Sequence, residues 1–207
     1  MIISLYIIMS DNTLLKDIEN MTKGIKHKEG SYDDHGYSVK KWGKLHKIRG
    51  KKYIPTYGYS IPSRSVINAI VSFSKPECEI LECGAGKGVW ARLLSDRGIK
   101  VVAIDKKMSD GLFFPVKKMD SLQAIKKYNK INILMMVWPP YEDPIAYKNL
   151  KKFKGDKLIY IGENRGDATA DYDFYDLLEE KWDLVKDVKM KQFPGLHDTC
   201  KLFVRKK

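Results

Sequence analysis

The chain has few cysteines, and their placement excludes the common disulfide and metal scaffolds. Its 207 residues include three cysteines, Cys78, Cys83 and Cys200, with no Cys-x-x-Cys pair and no group of histidines. Structural zinc sites and small disulfide-stabilised domains depend on such groupings. We therefore expect a protein of a reducing compartment with no disulfide framework and no bound metal.

The sequence also lacks a hydrophobic run long enough to cross a membrane. Its apolar start, residues 1–9, is far shorter than the roughly 20 residues that a membrane helix needs. The same stretch has neither the basic segment nor the small-residue cleavage site of a secretory signal. These features predict a cytoplasmic protein that has no membrane partner.

Acidic residues are the minority among the charged ones. The chain has 26 Asp and Glu against 38 Lys and Arg, which gives a net charge of +12. A surface of this charge attracts polyanions and steers them, so the composition favours nucleic acid as a partner. The alternative is that lysines spread over exposed helices serve solubility alone.

One stretch carries the clearest chemical signal. A short apolar strand ends in a loop with glycine at alternate positions, Glu82-x-Gly84-x-Gly86-x-Gly88, and a helix and a second apolar strand follow and end at Asp105. A strand–helix–strand unit of this kind is half of a nucleotide-type binding site. The glycines let the backbone approach a ligand closely, and the final carboxylate suits ribose hydroxyls.

The spacing separates the nucleotide classes. An NAD loop needs a glycine where Val89 stands, and a phosphate-binding P-loop needs Ser or Thr where Gly88 stands. The loop instead resembles the first motif of the S-adenosylmethionine (SAM) methyltransferases, with a glycine-rich turn of another doubly wound fold as the alternative. The resemblance implies that Glu82 faces the amino-acid end of SAM. It implies a cofactor site of seven residues: Glu82, Gly84, Ala85, Gly86, Gly88, Asp105 and Asp120.

Helical and strand patterns alternate along the chain from residue 59 onward. Strands are predicted at 79–83, 100–105, within 106–120, and at 131–137, 158–161, 184–191 and 199–205. Helices are predicted after a Ser63 cap and at 88–97, 121–129, 143–152 and 172–181. This alternation predicts a Rossmann-like class I methyltransferase fold, with a mostly parallel seven-stranded sheet, helices on both faces and an antiparallel C-terminal hairpin.

The chain before this region has a different character. A helix is predicted over 11–28, and 29–60 is predicted to be irregular, with aromatic residues interleaved with lysines. Aromatic faces beside basic groups suit single-stranded nucleic acid, whereas a flap over the cofactor cleft is the alternative. Candidate substrate contacts are Lys51, Lys52, Tyr57 and Tyr59. We expect residues 1–58 to form an arm or flap that is open to protein partners, and 59–207 to form the methyltransferase domain.

The strand at 131–137 leads into Trp138-Pro139-Pro140-Tyr141, at the edge of the sheet where α/β enzymes place their chemistry. The motif resembles that of amino-methyltransferases with (Asp/Asn/Ser)-Pro-Pro-(Tyr/Phe/Trp). The resemblance implies that the first side chain and a proline carbonyl accept hydrogen bonds from an exocyclic amine, while the aromatic ring stacks on a flipped base. Trp138 departs from the motif because an indole donates and does not accept.

A closer resemblance covers nearly the whole chain from Tyr59 onward. It is to SAM-dependent methyltransferase-like proteins of bacteria, fungi and large DNA viruses that carry Trp-Pro-Pro-Tyr. The matching segments include 61–63, 82–91, 137–144, 153–156, 160–163, 169–171 and 194–198. The resemblance implies fold and cofactor and leaves the substrate open. Since these proteins share the tryptophan, the resemblance implies that Trp138 serves as a stacking wall. If the chain is a viral relative, the resemblance also implies that it works in the host cytoplasm.

Two further residues are candidates at the same edge. Glu163 follows the strand at 158–161, where it could hold a substrate donor or act as an acceptor. His197 lies in the loop of the C-terminal hairpin, either at the substrate rim or as a turn residue that binds backbone. The predicted catalytic set is Trp138, Pro139, Pro140, Tyr141 and Glu163, with His197 at the substrate.

Together these features predict a SAM-dependent methyltransferase that acts on a base amine of nucleic acid. Adenine N6 in RNA is the favoured target, and a cap-adjacent adenosine is included in that class. Two alternatives stay open at this point: a methyltransferase for a small molecule or protein, and a catalytically inactive RNA-binding subunit of this fold.

Overall fold

Seven strands form one sheet in the computed structural model, which describes residues 13–25, 37–75 and 77–207. In chain order they are β1 (Glu79–Cys83), β2 (Lys100–Asp105), β3 (Val116–Lys118), β4 (Ile133–Val137), β5 (Lys157–Gly162), β6 (Trp182–Lys189) and β7 (Thr199–Arg205). Their spatial order is β3-β2-β1-β4-β5-β7-β6. The order reverses between β1 and β4, so a ligand crevice belongs at the carboxyl ends of these two strands.

The strand directions confirm the predicted fold class. β1 pairs in parallel with β2 and β4, and the β2–β3 and β4–β5 pairs are parallel too. β7 runs antiparallel between β5 and β6 and so forms the antiparallel C-terminal hairpin. The sheet is therefore mostly parallel and seven-stranded, as the alternating pattern indicates.

Helices cover both faces of the sheet. They are α1 (Thr13–Met21), α2 (Val39–Ile48), α3 (Ile54–Tyr57), α4 (Arg64–Ser74), α5 (Val89–Ser95), α6 (Ser121–Lys127), α7 (Ile145–Lys152) and α8 (Tyr172–Lys181), and a π-helical turn (Arg49–Tyr53) joins α2 to α3. Alternate residues of β4 divide the core, because side chains along a strand point to opposite faces. Ile133 and Met135 pack with α1, α4 and α5, whereas Leu134 and Met136 pack with α6, α7 and α8. None of the described helices is long and apolar enough to cross a membrane.

Predicted and observed boundaries agree closely in the sheet region. The strands at 79–83, 100–105 and 199–205 and the helix at 172–181 coincide with the observed elements. Ser63 caps α4, because its side chain accepts from the backbone N–H of Val66 at 3.5 Å. These elements are specified locally by apolar runs, caps and glycine turns.

The helix predicted over 11–28 is too long. It ends at Met21, where Thr22 Oγ1 donates to the carbonyl of Ile18 at 2.7 Å, and Gly24 then adopts a left-handed φ of 82°. A glycine in that conformation terminates helices. The proposed caps at residues 11–12 and the segment 26–28 lie outside the described residues.

The prediction of irregular structure over 29–60 is wrong for its described part. Residues 39–57 are helical throughout, and Ser38 caps the start by accepting from the N–H of Lys41 at 3.4 Å. Leu45 and Tyr53 are buried on the inner side. Abundant lysines and two glycines hide the apolar spacing, and the π-helical turn breaks its regular period. Residues 29–36 lie outside the described part of the chain.

The N-terminal helices share the core of the sheet. Leu15, Ile18 and Tyr53 are buried in the same apolar cluster as Ile133 of β4 and Ile159 of β5. Residues that precede and residues that follow position 58 are therefore buried against each other, and this burial of apolar area stabilises both parts of the chain. The division of the chain at that residue remains a prediction.

Truncation of Ile18 tests how firmly α1 belongs to this core. Ile18→Ala should lower the free energy of unfolding of the whole chain by about 2–5 kcal/mol, because Ile18 is fully buried and its loss leaves a cavity. Chemical denaturation monitored by far-UV circular dichroism measures the change. Asn20→Ala, on the exposed side of the same helix, serves as the control and should change the value by less than about 0.5 kcal/mol. Equal stability of Ile18→Ala and wild type would contradict a shared core.

Candidate active site

A cavity of about 380 Å³ opens at the carboxyl ends of β1, β2 and β4. It brings together eight of the predicted site residues: Tyr57, Tyr59, Glu82, Gly84, Ala85, Gly86, Asp105 and Trp138. The segment 54–60 contributes one wall, the glycine loop the floor, and the ends of β2 and β4 the remaining sides. The cavity therefore lies at the point where the strand order reverses, as expected for this architecture.

The glycine loop is fastened to the end of β2. Gly84 and Ala85 donate their backbone N–H groups to the carbonyl of Ile104, at 3.0 and 2.9 Å. Asp105 accepts from the N–H of Gly86 through Oδ2 and from the N–H of Lys107 through Oδ1, both at 2.8 Å. Each carboxylate oxygen has two lone pairs, so Asp105 shapes the loop and retains acceptor capacity at the cavity wall.

Glu82, at the end of the central strand, is a buried acid with an unsatisfied oxygen. Its side chain is 1% exposed, and Oε2 has no hydrogen-bond partner among the described residues. Burial raises the pKa of Glu82 to about 8; the N–H of Ala91 opposes this shift and the charge of Asp105 adds to it. An unpaired buried carboxyl destabilises the fold unless a partner arrives. The cavity wall therefore presents an acceptor that suits a cationic group of a ligand.

Two aromatic stacks join the N-terminal segment to the rim of the cavity. Tyr57 stacks on Phe113 with ring centroids 5.8 Å apart, and Tyr59 stacks on Trp138 with centroids 5.2 Å apart. Both tyrosines line the cavity. The sequence left two roles open for this segment, a stacking surface for nucleic acid and a flap over the cofactor cleft. In the structure, its aromatic rings form part of the cavity wall.

Sequence reasoning missed the anchor of this wall. The carbonyl of Ser60 accepts from the hydroxyl of Tyr53 at 3.0 Å, and Ser60 Oγ accepts from the indole Nε1 of Trp90 at 3.0 Å. Ser60 and Trp90 both line the cavity. No local pattern marks Ser60, because its partners lie on separate helices.

Trp138 is held in an unusual backbone conformation. Its φ is 50°, and its N–H donates to the carbonyl of Ile161 at 2.7 Å. Its indole Nε1 donates to Asp198 Oδ1 at 3.0 Å. A tryptophan with positive φ is strained, and such strain persists only where surrounding contacts enforce it.

Asp198, which accepts the hydrogen bond from this indole, is also buried. Asp198 lies in the hairpin loop before β7 and is 1% exposed. Burial raises the pKa of Asp198 to about 8, the charge of Glu163 raises it further, and the Trp138 hydrogen bond and Arg49 oppose the rise. Asp198 is not among the predicted site residues. Its position in a loop beside His197 gives no signal that it reaches Trp138.

The remaining residues of the Trp-Pro-Pro-Tyr motif lie outside the cavity lining. The carbonyl of Pro139 accepts from the N–H of Ala170 at 3.2 Å, and the N–H of Glu142 donates to the carbonyl of Ala170 at 3.0 Å. Tyr141 is 51% exposed and lines a separate cleft of about 130 Å³. Roles of Pro139, Pro140 and Tyr141 in binding an acceptor remain predictions.

Glu163 connects two loops rather than opening into the cavity. Its Oε1 accepts from the N–H of His197 at 2.8 Å, and its Oε2 accepts from the N–H of Ala168 at 2.9 Å. The His197 ring nitrogen Nδ1 lies 4.0 Å from Glu163 Oε1. Backbone partners thus account for the buried carboxylate, and substrate roles of both residues remain predictions.

Four further predicted residues also lie outside the lining. Asp120 caps α6, where Oδ1 accepts from the N–H groups of residues 122 and 123 at 2.9 and 3.2 Å. Gly88 has a φ of 74°, and a Cβ there would lie 2.8 Å from Cβ of Phe114, so close packing requires this glycine. Lys51 and Lys52 are exposed on the π-helical turn. Within the described ranges, no three His, Cys, Asp or Glu side chains form a group that could hold a metal.

Solved structures that contain SAM or its product share this fold. The 1,6-didemethyltoxoflavin-N1-methyltransferase of Burkholderia thailandensis, bound to 1,6-didemethyltoxoflavin and S-adenosylhomocysteine, is 11% identical over 87% of this chain and 93% of that chain, with a TM-score of 0.54. The magnesium protoporphyrin IX methyltransferase of Synechocystis PCC 6803, bound to SAM, is 12% identical over 86% and 100%, with a TM-score of 0.53.

A third neighbour extends over almost all of this chain. A point mutant of MtNAS in complex with SAM is 13% identical over 98% of this chain and 76% of that chain, with a TM-score of 0.52. No protein-family model matches the chain, and no curated protein matches it in sequence. At such identities the likeness shows the fold, and the chemistry must be argued from the residues of the cavity.

The raised pKa of Glu82 makes stability depend on pH in a defined direction. Between about pH 5 and 8 the unfolded chain has lost the Glu82 proton while the folded chain retains it, so this group lowers wild-type stability as pH rises. Glu82→Gln lacks that contribution. The stability of Glu82→Gln relative to wild type should therefore rise with pH, by up to about 1.4 kcal/mol per pH unit.

Urea denaturation at several pH values between 5 and 8 measures this difference. Asp110→Asn, which neutralises an exposed acid outside the cavity lining, is the control and should run parallel to wild type. A constant difference between Glu82→Gln and wild type over this range would contradict a protonated buried acid.

Proposed function

We propose that the protein is a SAM-dependent methyltransferase that acts on a base amine of nucleic acid, with adenine N6 in RNA, including a cap-adjacent adenosine, as the expected target. The observation that carries the cofactor assignment is the unpartnered, buried oxygen of Glu82 beside the glycine loop. It offers an acceptor for a ligand ammonium in a fold that other proteins use to bind SAM.

The residues at the cavity fit the parts of SAM. The amino group of SAM would pair with Glu82, and its ribose hydroxyls would be held by the remaining acceptor capacity of Asp105. The glycines at 84 and 86 allow the backbone to approach the cofactor closely. When bound, SAM supplies an electrophilic methyl group on its sulfonium.

The basic helical segment next to the cavity supports a polyanionic substrate. Six lysines are exposed along it: Lys40, Lys41, Lys44, Lys47, Lys51 and Lys52. The same segment continues into Tyr57 and Tyr59 at the cavity wall. Phosphate partners and stacking faces are what single-stranded nucleic acid requires, and this segment offers both.

On the acceptor side, the residues present contribute mainly by positioning. Alignment of the amine with the methyl group would account for most of the rate in such a transfer, and the nitrogen would pass its proton to solvent water. Trp138 cannot accept from the amine, but the carbonyl of Pro139 keeps a second lone pair beside its bond to Ala170. That carbonyl lies outside the cavity lining, next to the cavity-lining Trp138, and is the acceptor that we propose for the amine.

A small planar molecule is the second candidate acceptor. Two of the structural neighbours are named for acceptors of this kind, a toxoflavin precursor and a magnesium porphyrin. The aromatic wall formed by Tyr59 and Trp138 would suit such a ring equally well. Salt separates the two candidates, because affinity for phosphate-bearing substrates falls steeply with ionic strength.

A transfer assay with isotopically labelled SAM tests the proposal. Short RNAs that begin with adenosine, capped and uncapped, and DNA of the same sequence are incubated with wild type, Glu82→Gln and Asp110→Asn. We expect label in RNA as N6-methyladenosine, identified by nucleoside mass spectrometry. Glu82→Gln should bind SAM about 10–100-fold more weakly because a charge-assisted hydrogen bond is lost, and Asp110→Asn should match wild type.

Other outcomes would contradict the proposal in separable ways. Bound SAM with no label in any nucleic acid would reject the substrate and favour a small molecule or a protein. Absence of SAM binding by wild type in calorimetry would reject the cofactor and favour a binding subunit that has the fold without the chemistry.

A further inference from the structure

The hydrogen bond between Trp138 and Asp198 joins the motif after β4 to the loop before β7. The indole Nε1 lies 3.0 Å from Asp198 Oδ1, and the two residues are 60 positions apart in the chain. Trp138 lines the cavity, whereas Asp198 is buried behind it. The bond therefore determines how the indole ring is presented to the cavity.

Asp198 is itself held firmly. Its backbone carbonyl accepts from Gln192 Nε2 at 2.9 Å, and the preceding residue, His197, donates its N–H to the carboxylate of Glu163 at 2.8 Å. These contacts hold the backbone of the loop on both sides of the Asp198 side chain. An anchored acceptor restricts the rotation of the indole about its side-chain bonds, since rotation would leave a buried carboxyl unpaired.

Tyr59, the ring that stacks on Trp138, is held much less firmly. It is 49% exposed, and no described residue forms a hydrogen bond with its hydroxyl. An exposed aromatic pair contributes about two- to tenfold to an equilibrium, whereas a base on an aromatic side chain contributes roughly five- to 150-fold. Displacement of Tyr59 would open this face of the indole to a nucleobase.

We propose that Asp198 is a positioning residue that fixes the Trp138 indole as the stacking platform for a planar acceptor ring. This inference rests on the proposed function and adds to the stacking wall predicted at Trp138 the residue that holds it, Asp198, to which the sequence assigns no role. The indole replaces the hydrogen-bonding side chain expected at position 138 by an aromatic face, and the carboxyl group of Asp198 keeps that face in place. The guanidinium carbon of Arg49 lies 5.7 Å from the Trp138 ring centroid and adds a second contact to the platform.

Fluorine NMR of the full chain tests the proposal without turnover. The chain has four tryptophans, so 5-fluorotryptophan labelling gives four signals, and Trp138→Phe assigns the one from Trp138. A short oligoadenylate RNA is added in the presence of S-adenosylhomocysteine. We expect the Trp138 signal of wild type to shift on addition of this RNA.

Substitutions at position 198 then separate positioning from a general structural role. Asp198→Ala removes the acceptor, so the Trp138 signal should move or split in the free protein and the RNA dissociation constant should rise about tenfold or more. Affinity for S-adenosylhomocysteine should stay near that of wild type. Asp198→Asn keeps an oxygen acceptor for the indole and should recover most of the RNA affinity, and Asp183→Ala on β6 is the exposed control.

Three results would overturn the proposal: an unshifted Trp138 signal in wild type, wild-type RNA affinity of Asp198→Ala, or equal losses in Asp198→Asn and Asp198→Ala. Should Asp198→Ala fail to fold, Trp138→Phe removes the donor instead, and unchanged RNA affinity of that variant overturns the proposal. Failure of methyl transfer would reject the proposed function while leaving this binding result intact, so the two can be told apart.

Discussion

The unpartnered carboxyl of Glu82 is the constraint on which the rest of the site depends. β1 lies between β2 and β4, so the acid at its end is surrounded by sheet, helix and loop and is 1% exposed. The fold tolerates it in the protonated state, which the raised pKa reflects. The neighbouring parts of the site are arranged around this acid. The glycine loop leaves space beside it, Asp105 holds that loop in place, and the segment 54–60 forms one wall of the cavity that the acid lines.

The two buried acids, Glu82 and Asp198, divide the functional edge of the sheet. Both have a pKa raised to about 8, chiefly by burial. They differ in their partners, because Asp198 receives the indole N–H of Trp138 whereas Glu82 keeps one oxygen unpaired among the described residues. Under the proposed function, the open acid lies in the part of the cavity assigned to the cofactor, and the paired acid lies behind the part assigned to the acceptor. Trp138 stands between the two halves.

Local patterns are sufficient to predict the sheet region. The strand at 79–83, the glycine loop, the strand that ends at Asp105 and the cap at Ser63 are each specified by a few neighbouring residues, and all are confirmed in the structure. The helical segment at 39–57 was missed because its lysines and glycines obscure the apolar period and a π-helical turn interrupts it.

The site residues that could not be predicted from the sequence are held by contacts between segments far apart in the chain. Ser60 meets Trp90 across 30 residues and Trp138 meets Asp198 across 60, and neither pairing leaves a trace in local spacing. The same holds for Pro139, whose carbonyl already receives the N–H of Ala170. A motif gives the order of side chains at a strand end, whereas their directions are set by the loops packed against them.

Proton release on SAM binding tests the central claim most directly. Calorimetric titration of wild type with SAM at pH 7, in two buffers with different ionisation enthalpies, gives the number of protons released. A protonated Glu82 that pairs with the amino group of SAM predicts a release of about one proton per SAM, since the pair retains one of the two protons that its members carried when free. Binding without net proton release, or an equal release from Glu82→Gln, would contradict the account.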